Sequence, residues 1–276
     1  MTEISQRVGG GFSYLARGGA GGMPIVLLHG IGSNASSFAS LMAAFDARHP
    51  IFAWDAPGYG GSTSLPVDWP DASDYAAAVS RLLDLLEISR CVVAGHSLGT
   101  VIAARLALTS PSRVAALFLL SPALGYGVQR GDALPPAVAA RLTALDRLGP
   151  EKFAAARAPS LLADPAGRPD VLQDVERAMA AVRRPGYDQA ARLLAGGRLL
   201  ADAANIHVPA AVLVGVQDRI TPPASARRVF DALQESSPQP VYREIADAGH
   251  ALSQEQPEQV ARAIVEIVEN KANAHA

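Results

Sequence analysis

A single cysteine, Cys91, in 276 residues closes no internal disulfide and builds no cysteine-based zinc site. It stands in the apolar run "CVVAG" and reads as a small buried hydrophobe. Aromatic residues make up only 5% of the chain. No stretch of about 18 uninterrupted apolar residues occurs, so no segment is expected to span or enter a membrane. The opening "MTEISQRVGGG" lacks the apolar centre of a secretory signal, which makes the cytoplasm the expected location. The net charge is −2, with no basic stripe and no polybasic cluster. Nucleic acid and anionic lipid are therefore not expected partners.

Hydrophobic residues, at 49%, are plentiful, and much of that share is alanine, which favours helix. A chain of this size buries roughly three quarters of its unfolded surface and needs no staple. Short apolar runs recur: "PIVLLHG", "IFAWDAPG", "CVVAGHS", "VAALFLLSP", "PAAVLVGVQD" and, more weakly, "PVYREIADAGH". They are nearly continuous in apolarity, as strands buried on both faces are. Helix-like stretches separate them at 36–47, 74–86, 98–109, 223–236 and 257–270. Strand alternating with helix predicts an α/β fold: a mostly parallel central sheet with helices on both faces. The segments "ISQRV" and "FSYLA" around Gly9-Gly10-Gly11 predict a leading hairpin.

The alternation stops near Ser121 and resumes at Val208. Between them the chain is rich in Ala, Leu and Arg, with prolines at 135, 136, 150, 159, 165, 169 and 185, which predicts short proline-broken helices. The expected organisation is a core of residues 1–123 and 206–276 with a helical cap at 124–205. The tail "NKANAHA" is expected to fray.

The stretch "VVAGHSLGT" places Ser97 between an apolar strand and the helix-like "LGTVIAARLALT". A serine at such a junction is ordinarily a helix N-cap. A cap does not need glycine at both −2 and +2, and Gly95-His96-Ser97-Leu98-Gly99 has both. Glycines there let strand and helix pack closely around a sharp turn that exposes a nucleophilic serine. Such a hydroxyl needs a base. Of the histidines, His96 adjoins Ser97 on the turn, where neighbouring side chains point apart. His275 is in the tail, His49 precedes a strand, and His207 sits at a strand entrance. His29 ends "IVLLHG" and reads as a brace for the loop that follows. His250, in "DAGHALSQEQPEQV", follows the last strand-like run and precedes the closing helix.

An acid must orient that base. Asp218 follows a buried strand in "VLVGVQDRITPP"; Asp202, Asp231, Glu244 and Asp247 are its rivals. Two N–H donors are needed for an oxyanion. Leu98 follows the nucleophile and supplies one, and Ile31, in "LLHGIGSN", supplies the other.

His29-Gly30, "DAPGYGGS", "GHSLG", "DRITPP" and "AGHALSQEQP" together resemble the α/β-hydrolase family, from about Ile25 to the C-terminus. Within it, "RPGYDQAARLLAGGRLLADAANIHVPAAVLVG" is similar to the 3-oxoadipate enol-lactonase and esterase branch, which acts in the breakdown of aromatic compounds. The resemblance implies the order Ser97, Asp218, His250 as catalytic triad. It implies hydrolysis of a small carboxylic ester or lactone substrate, with no cofactor and no metal. Carbon–carbon bond hydrolases of ring-cleavage products share the architecture but usually carry an aromatic residue after the histidine, where this chain has Ala251. Other readings are a hydrolase-fold small-molecule receptor with little turnover, and a cofactor-independent oxygenase or perhydrolase. Arginines 141, 157, 168, 183, 184 and 192 are candidates to hold a substrate carboxylate, although each also reads as a solvated helix face. Neither the substrate-binding residues nor the oligomeric state are legible.

Overall fold

A computed structural model describes residues 3–273. Eight strands form one sheet: β1 (Ile4–Gly9), β2 (Phe12–Arg17), β3 (Ile25–Leu28), β4 (Ile51–Trp54), β5 (Cys91–His96), β6 (Val114–Leu120), β7 (Ala210–Gly215) and β8 (Val241–Ile245). Their order is β1-β2-β4-β3-β5-β6-β7-β8. The leading hairpin is present, and β1, β2 and β4 pair antiparallel. From β4 to β8 every pairing is parallel.

The helices are α1 (Ala39–Ala44), α2 (Ala72–Leu85), α3 (Leu98–Thr109), α4 (Pro136–Arg157), α5 (Pro169–Ala180), α6 (Gly186–Gly196), α7 (Leu199–Ala203), α8 (Pro223–Leu233), α9 (Leu252–Glu255) and α10 (Pro257–Asn273). The end of the tail, with His275, lies outside the described residues. The strand side chains alternate between two cores, as a pleat requires. Val26, Leu28, Val93, Leu117, Leu119, Val212 and Val214 meet α2, α3 and α8 on one face. Ile25, Leu27, Val92, Ala94, Phe118, Leu120 and Leu213 meet α1 and α10 on the other. Each fully buried aliphatic side chain contributes about 1.5–3 kcal/mol relative to exposure. Cys91 is one of these buried residues, and burial pushes its thiol up to about 12.

Four helices, α4 to α7, occupy the chain between β6 and β7. Prolines at 136 and 169 begin helices, where the missing N–H costs nothing. The first element, α4, is broken at Gly149, whose φ of 72 and ψ of 164 are not helical, and Pro150 opens its second segment, as expected of proline-broken helices. The helix expected at 36–47 is instead a 3-10 turn, Ala35–Phe38, followed by α1. Helix α2 starts two residues earlier than expected, because Asp71 and Asp74 form a capping box.

The connection from β3 runs to β4 on one side, and that from β4 returns to β5 on the other. The carboxyl ends of β3 and β5 therefore flank the switch point, where an open parallel sheet leaves a crevice. Ser97 follows β5 there, and the His29–Ile31 loop follows β3.

Candidate active site

The turn from β5 to α3 is as tight as its glycines allow. A Cβ on Gly95 would collide with the Gly99 carbonyl, and one on Gly99 would collide with the Leu28 carbonyl. Ser97 is held at φ 52, ψ −115, a strained conformation for a residue with a side chain. Its side chain makes no capping hydrogen bond to α3, so the ordinary reading of a junction serine does not describe it. The hydroxyl is left at the positive end of a helix.

His250 and Ser97 line one cavity of about 40 Å³, together with Gly30, Ile31 and His96. The imidazole is buried, and its Nδ1 lies 3.0 Å from Asp218 Oδ2. That contact sets the tautomer with the proton on Nδ1, which leaves Nε2 as an acceptor. Asp218 is itself buried and pinned. Its Oδ1 accepts from the Ile220 and Thr221 N–H groups at 2.8 and 2.9 Å. Its Oδ2 lies 2.9 Å from the Thr221 hydroxyl, which also reaches the Ser121 carbonyl at 3.0 Å. Burial alone would raise this carboxyl. The hydrogen bond and charge of His250, with the Thr221 N–H, win and hold it well below the usual range. Asp202 pairs with Arg105 instead, and the Asp247 carbonyl accepts from Gln256.

Ile31 lines the cavity beside Ser97, and Leu98 is the first residue of α3, whose N–H has no acceptor within the helix. Among the described residues neither N–H is taken up by a backbone acceptor. His29 is a brace. Its Nε2 accepts the Ala56 N–H at 3.0 Å and its Nδ1 donates to the Gly30 carbonyl at 2.8 Å. Burial lowers its pKa, so the ring stays neutral.

Three further residues carried no readable signal. Thr221 was one more polar residue in "DRITPP". His96 lines the same cavity as Ser97, and its Nε2 donates to the His250 carbonyl at 2.8 Å. Burial, then the neighbouring His250, lowers its pKa to about 3, so it steadies the loop as a neutral donor. Glu255 is buried, and its two oxygens accept from Ala163 N–H and Gly249 N–H, each at 2.7 Å. It ties the α4–α5 connection to the loop of His250.

Another cavity, of about 210 Å³, is also lined by Ser97 and Ile31, with Leu124, Arg141, Leu194 and Thr221 among its walls. Among the described residues no cluster of three His, Cys, Asp or Glu side chains is placed to hold a metal ion. None of the described helices is long and apolar enough to cross a membrane.

Residues 25–263 match the alpha/beta hydrolase family. The chain belongs to that family. Its relatives include the dihydrolipoyllysine-residue acetyltransferase component of the acetoin cleaving system of Pseudomonas putida, at 32% identity over 88% of this chain. The match spans 62% of that protein. The pimeloyl-[acyl-carrier protein] methyl ester esterase of Chromobacterium violaceum is 30% identical, over 91% of this chain and 96% of its own. Among solved structures, the enol-lactonase from Burkholderia xenovorans LB400 superposes with a TM-score of 0.83. That match covers 96% of this chain and 100% of the lactonase at 23% identity, a likeness of fold. The family's members near this chain thus include esterases and a lactonase.

Proposed function

We propose that this α/β hydrolase cleaves a small carboxylic ester or enol-lactone through an acyl-enzyme on Ser97. The observation that carries the reading is a buried His250, hydrogen-bonded to Asp218, that shares one cavity with a strained serine whose side chain caps nothing. In this reading His250 Nε2 takes the hydroxyl proton as Ser97 Oγ attacks the carbonyl carbon. The Ile31 and Leu98 N–H groups receive the oxyanion. His250 then returns the proton to the leaving alkoxide or enolate. Water, deprotonated by the same ring, releases the acid and regenerates Ser97. Asp218 holds the ring's tautomer and stabilises the imidazolium. Helices α4 to α6 act as a cap that limits substrate size, and the relatives' esterase and lactonase names agree with this substrate class.

The test is turnover of p-nitrophenyl acetate and butyrate and of a small enol-lactone. Ser97→Ala is expected to lower kcat by about 10⁴-fold or more without unfolding the chain. A protein inert on every short ester and lactone, yet fast on a dienol ring-cleavage ketone, would move the assignment to carbon–carbon hydrolysis.

A further inference from the structure

One hydroxyl near Ser97 has more polar neighbours than it has protons. Thr221 Oγ1 lies 2.9 Å from Asp218 Oδ2, 3.0 Å from the Ser121 carbonyl oxygen and 3.2 Å from His250 Nδ1. The residue is half-buried and stands in the wall of the 210 Å³ cavity. A hydroxyl has one proton to give and two lone pairs that receive. Asp218 Oδ2 and the Ser121 carbonyl are both acceptors, so the Thr221 proton serves one of them. His250 Nδ1 carries its own proton, so on that side the Thr221 oxygen receives. The Nδ1–H is therefore forked between two oxygens, Asp218 Oδ2 at 3.0 Å and Thr221 Oγ1 at 3.2 Å.

The contact with Ser121 leads to the backbone of the serine. Ser121 follows β6, is fully buried and sits at φ 45, in the left-handed region. Among the described residues no backbone N–H reaches its carbonyl, and the Thr221 hydroxyl is the partner within reach. The residues around it hold Ser97. The Ser97 N–H donates to the Leu120 carbonyl at 2.9 Å, and the Ser97 carbonyl accepts from the Ala123 N–H at 3.3 Å. One hydroxyl thus joins the loops that follow β6, β7 and β8, which carry the backbone support of the serine, the acid and the base.

An imidazole held through one bond to a carboxylate can swing about that bond. A second oxygen on the same N–H, reached from another direction, limits the swing. The opposite nitrogen, Nε2, has to meet the Ser97 hydroxyl, and a misplacement of about 1 Å in such a geometry costs about a hundredfold in rate.

We propose that Thr221 is a positioning residue for the reaction at Ser97: its hydroxyl fixes the plane of the His250 ring and keeps that ring in register with the nucleophile. The proposal rests on the serine-hydrolase reading. Thr221 acts through His250, so it bears on kcat and not on KM.

The test compares Thr221→Val, which keeps the shape and removes the hydroxyl, with Thr221→Ser, which keeps the hydroxyl. On p-nitrophenyl butyrate, Thr221→Val is expected to lose about ten- to a hundredfold in kcat with KM held within about twofold. Thr221→Ser should recover most of that loss. A double-mutant cycle with Asp218→Asn separates positioning from packing. Once asparagine has misplaced the ring, Thr221→Val should cost less than about threefold more. A full additive loss in that background, a loss confined to KM, or a Thr221→Ser as poor as Thr221→Val overturns the proposal and leaves Ser97 as the nucleophile. If circular dichroism shows Thr221→Val unfolded, Thr221→Ala takes its place in the cycle. The His250 Nδ1–H also gives a readout free of turnover, its downfield proton NMR line, assigned by its loss in His250→Gln. The line is expected to be sharp in wild type and Thr221→Ser, and to broaden by solvent exchange in Thr221→Val. A line unchanged by Thr221→Val overturns the proposal. If wild type turns over no ester, the serine-hydrolase reading fails, and this line alone decides whether Thr221 holds the ring.

Discussion

Asp218 and Glu255 are both buried carboxylates at the same end of the sheet, and their environments push them in opposite directions. Burial penalises each. Asp218 overcomes that penalty with the His250 ring, the Thr221 hydroxyl and two backbone N–H groups, and is held far below the ordinary aspartate range. Glu255 has only the Ala163 and Gly249 N–H groups, with Arg168 nearby, and burial keeps it above the ordinary glutamate value. A carboxylate facing an imidazole is arranged to stabilise charge that appears on that ring. A carboxylate bridging two backbone segments is arranged to hold them together. In the proposed reaction the first serves chemistry, while the second ties two backbone segments together beside His250.

Asparagine at 218 breaks the comparison hardest. Asp218→Asn keeps the shape but presents the wrong hydrogen-bonding face to Nδ1, and kcat should fall by about 10⁴-fold with the fold retained. Ester turnover and a thermal melt measure both halves of that statement. Glu255→Gln should do the reverse in kind. The amide can accept only one of the two N–H groups, which costs about 1–3 kcal/mol of stability. Its rate loss should fall well short of that in Asp218→Asn. Finding the large rate loss at 255 and the large stability loss at 218 would exchange the two roles.

Acidification gives the smallest and most discriminating effect. His29 and His96 are buried with lowered pKa values, so the unfolded chain takes up protons that the fold refuses. Their contribution to stability is therefore lost as pH falls below about 6.5, the ordinary histidine value. Asp218 does not contribute in that window, because a depressed carboxyl loses its stabilisation only below about 3.9. Glu255 acts with the opposite sign, since a raised carboxyl favours the folded state as it protonates. The melting temperature should fall on mild acidification, and more steeply in Glu255→Gln than in wild type. An identical slope in both proteins would show that Glu255 does not titrate in this range.

The same pair marks what was legible in the sequence. The sheet was readable because its strands are buried on both faces and their apolarity is nearly continuous. Asp218 could be picked out because it stands between such a strand and a proline-marked helix start. His29 could be read as a brace from its place at the end of β3. Glu255 could not be found, since "SQEQPEQV" has the look of a solvated helix. Its burial depends on Ala163, which only the folded chain brings to it. His96 was legible as not being the base, but its bond to the His250 carbonyl joins residues far apart in sequence. Among the arginines, sequence alone could not separate a solvated face from a cavity wall. Prolines marked where helices begin and break between β6 and β7, including the break of α4 at Gly149-Pro150.

The central claim is a covalent one: the Ser97 hydroxyl carries the acyl group. Rapid quenching during turnover of a p-nitrophenyl ester, followed by peptide mass spectrometry, tests it directly. The adduct is expected on the peptide containing Gly95-His96-Ser97-Leu98-Gly99, at Ser97. It should accumulate in a variant at His250 that still acylates but deacylates slowly. Turnover with the acyl group on another residue, or with Ser97→Ala as active as wild type, would contradict the account.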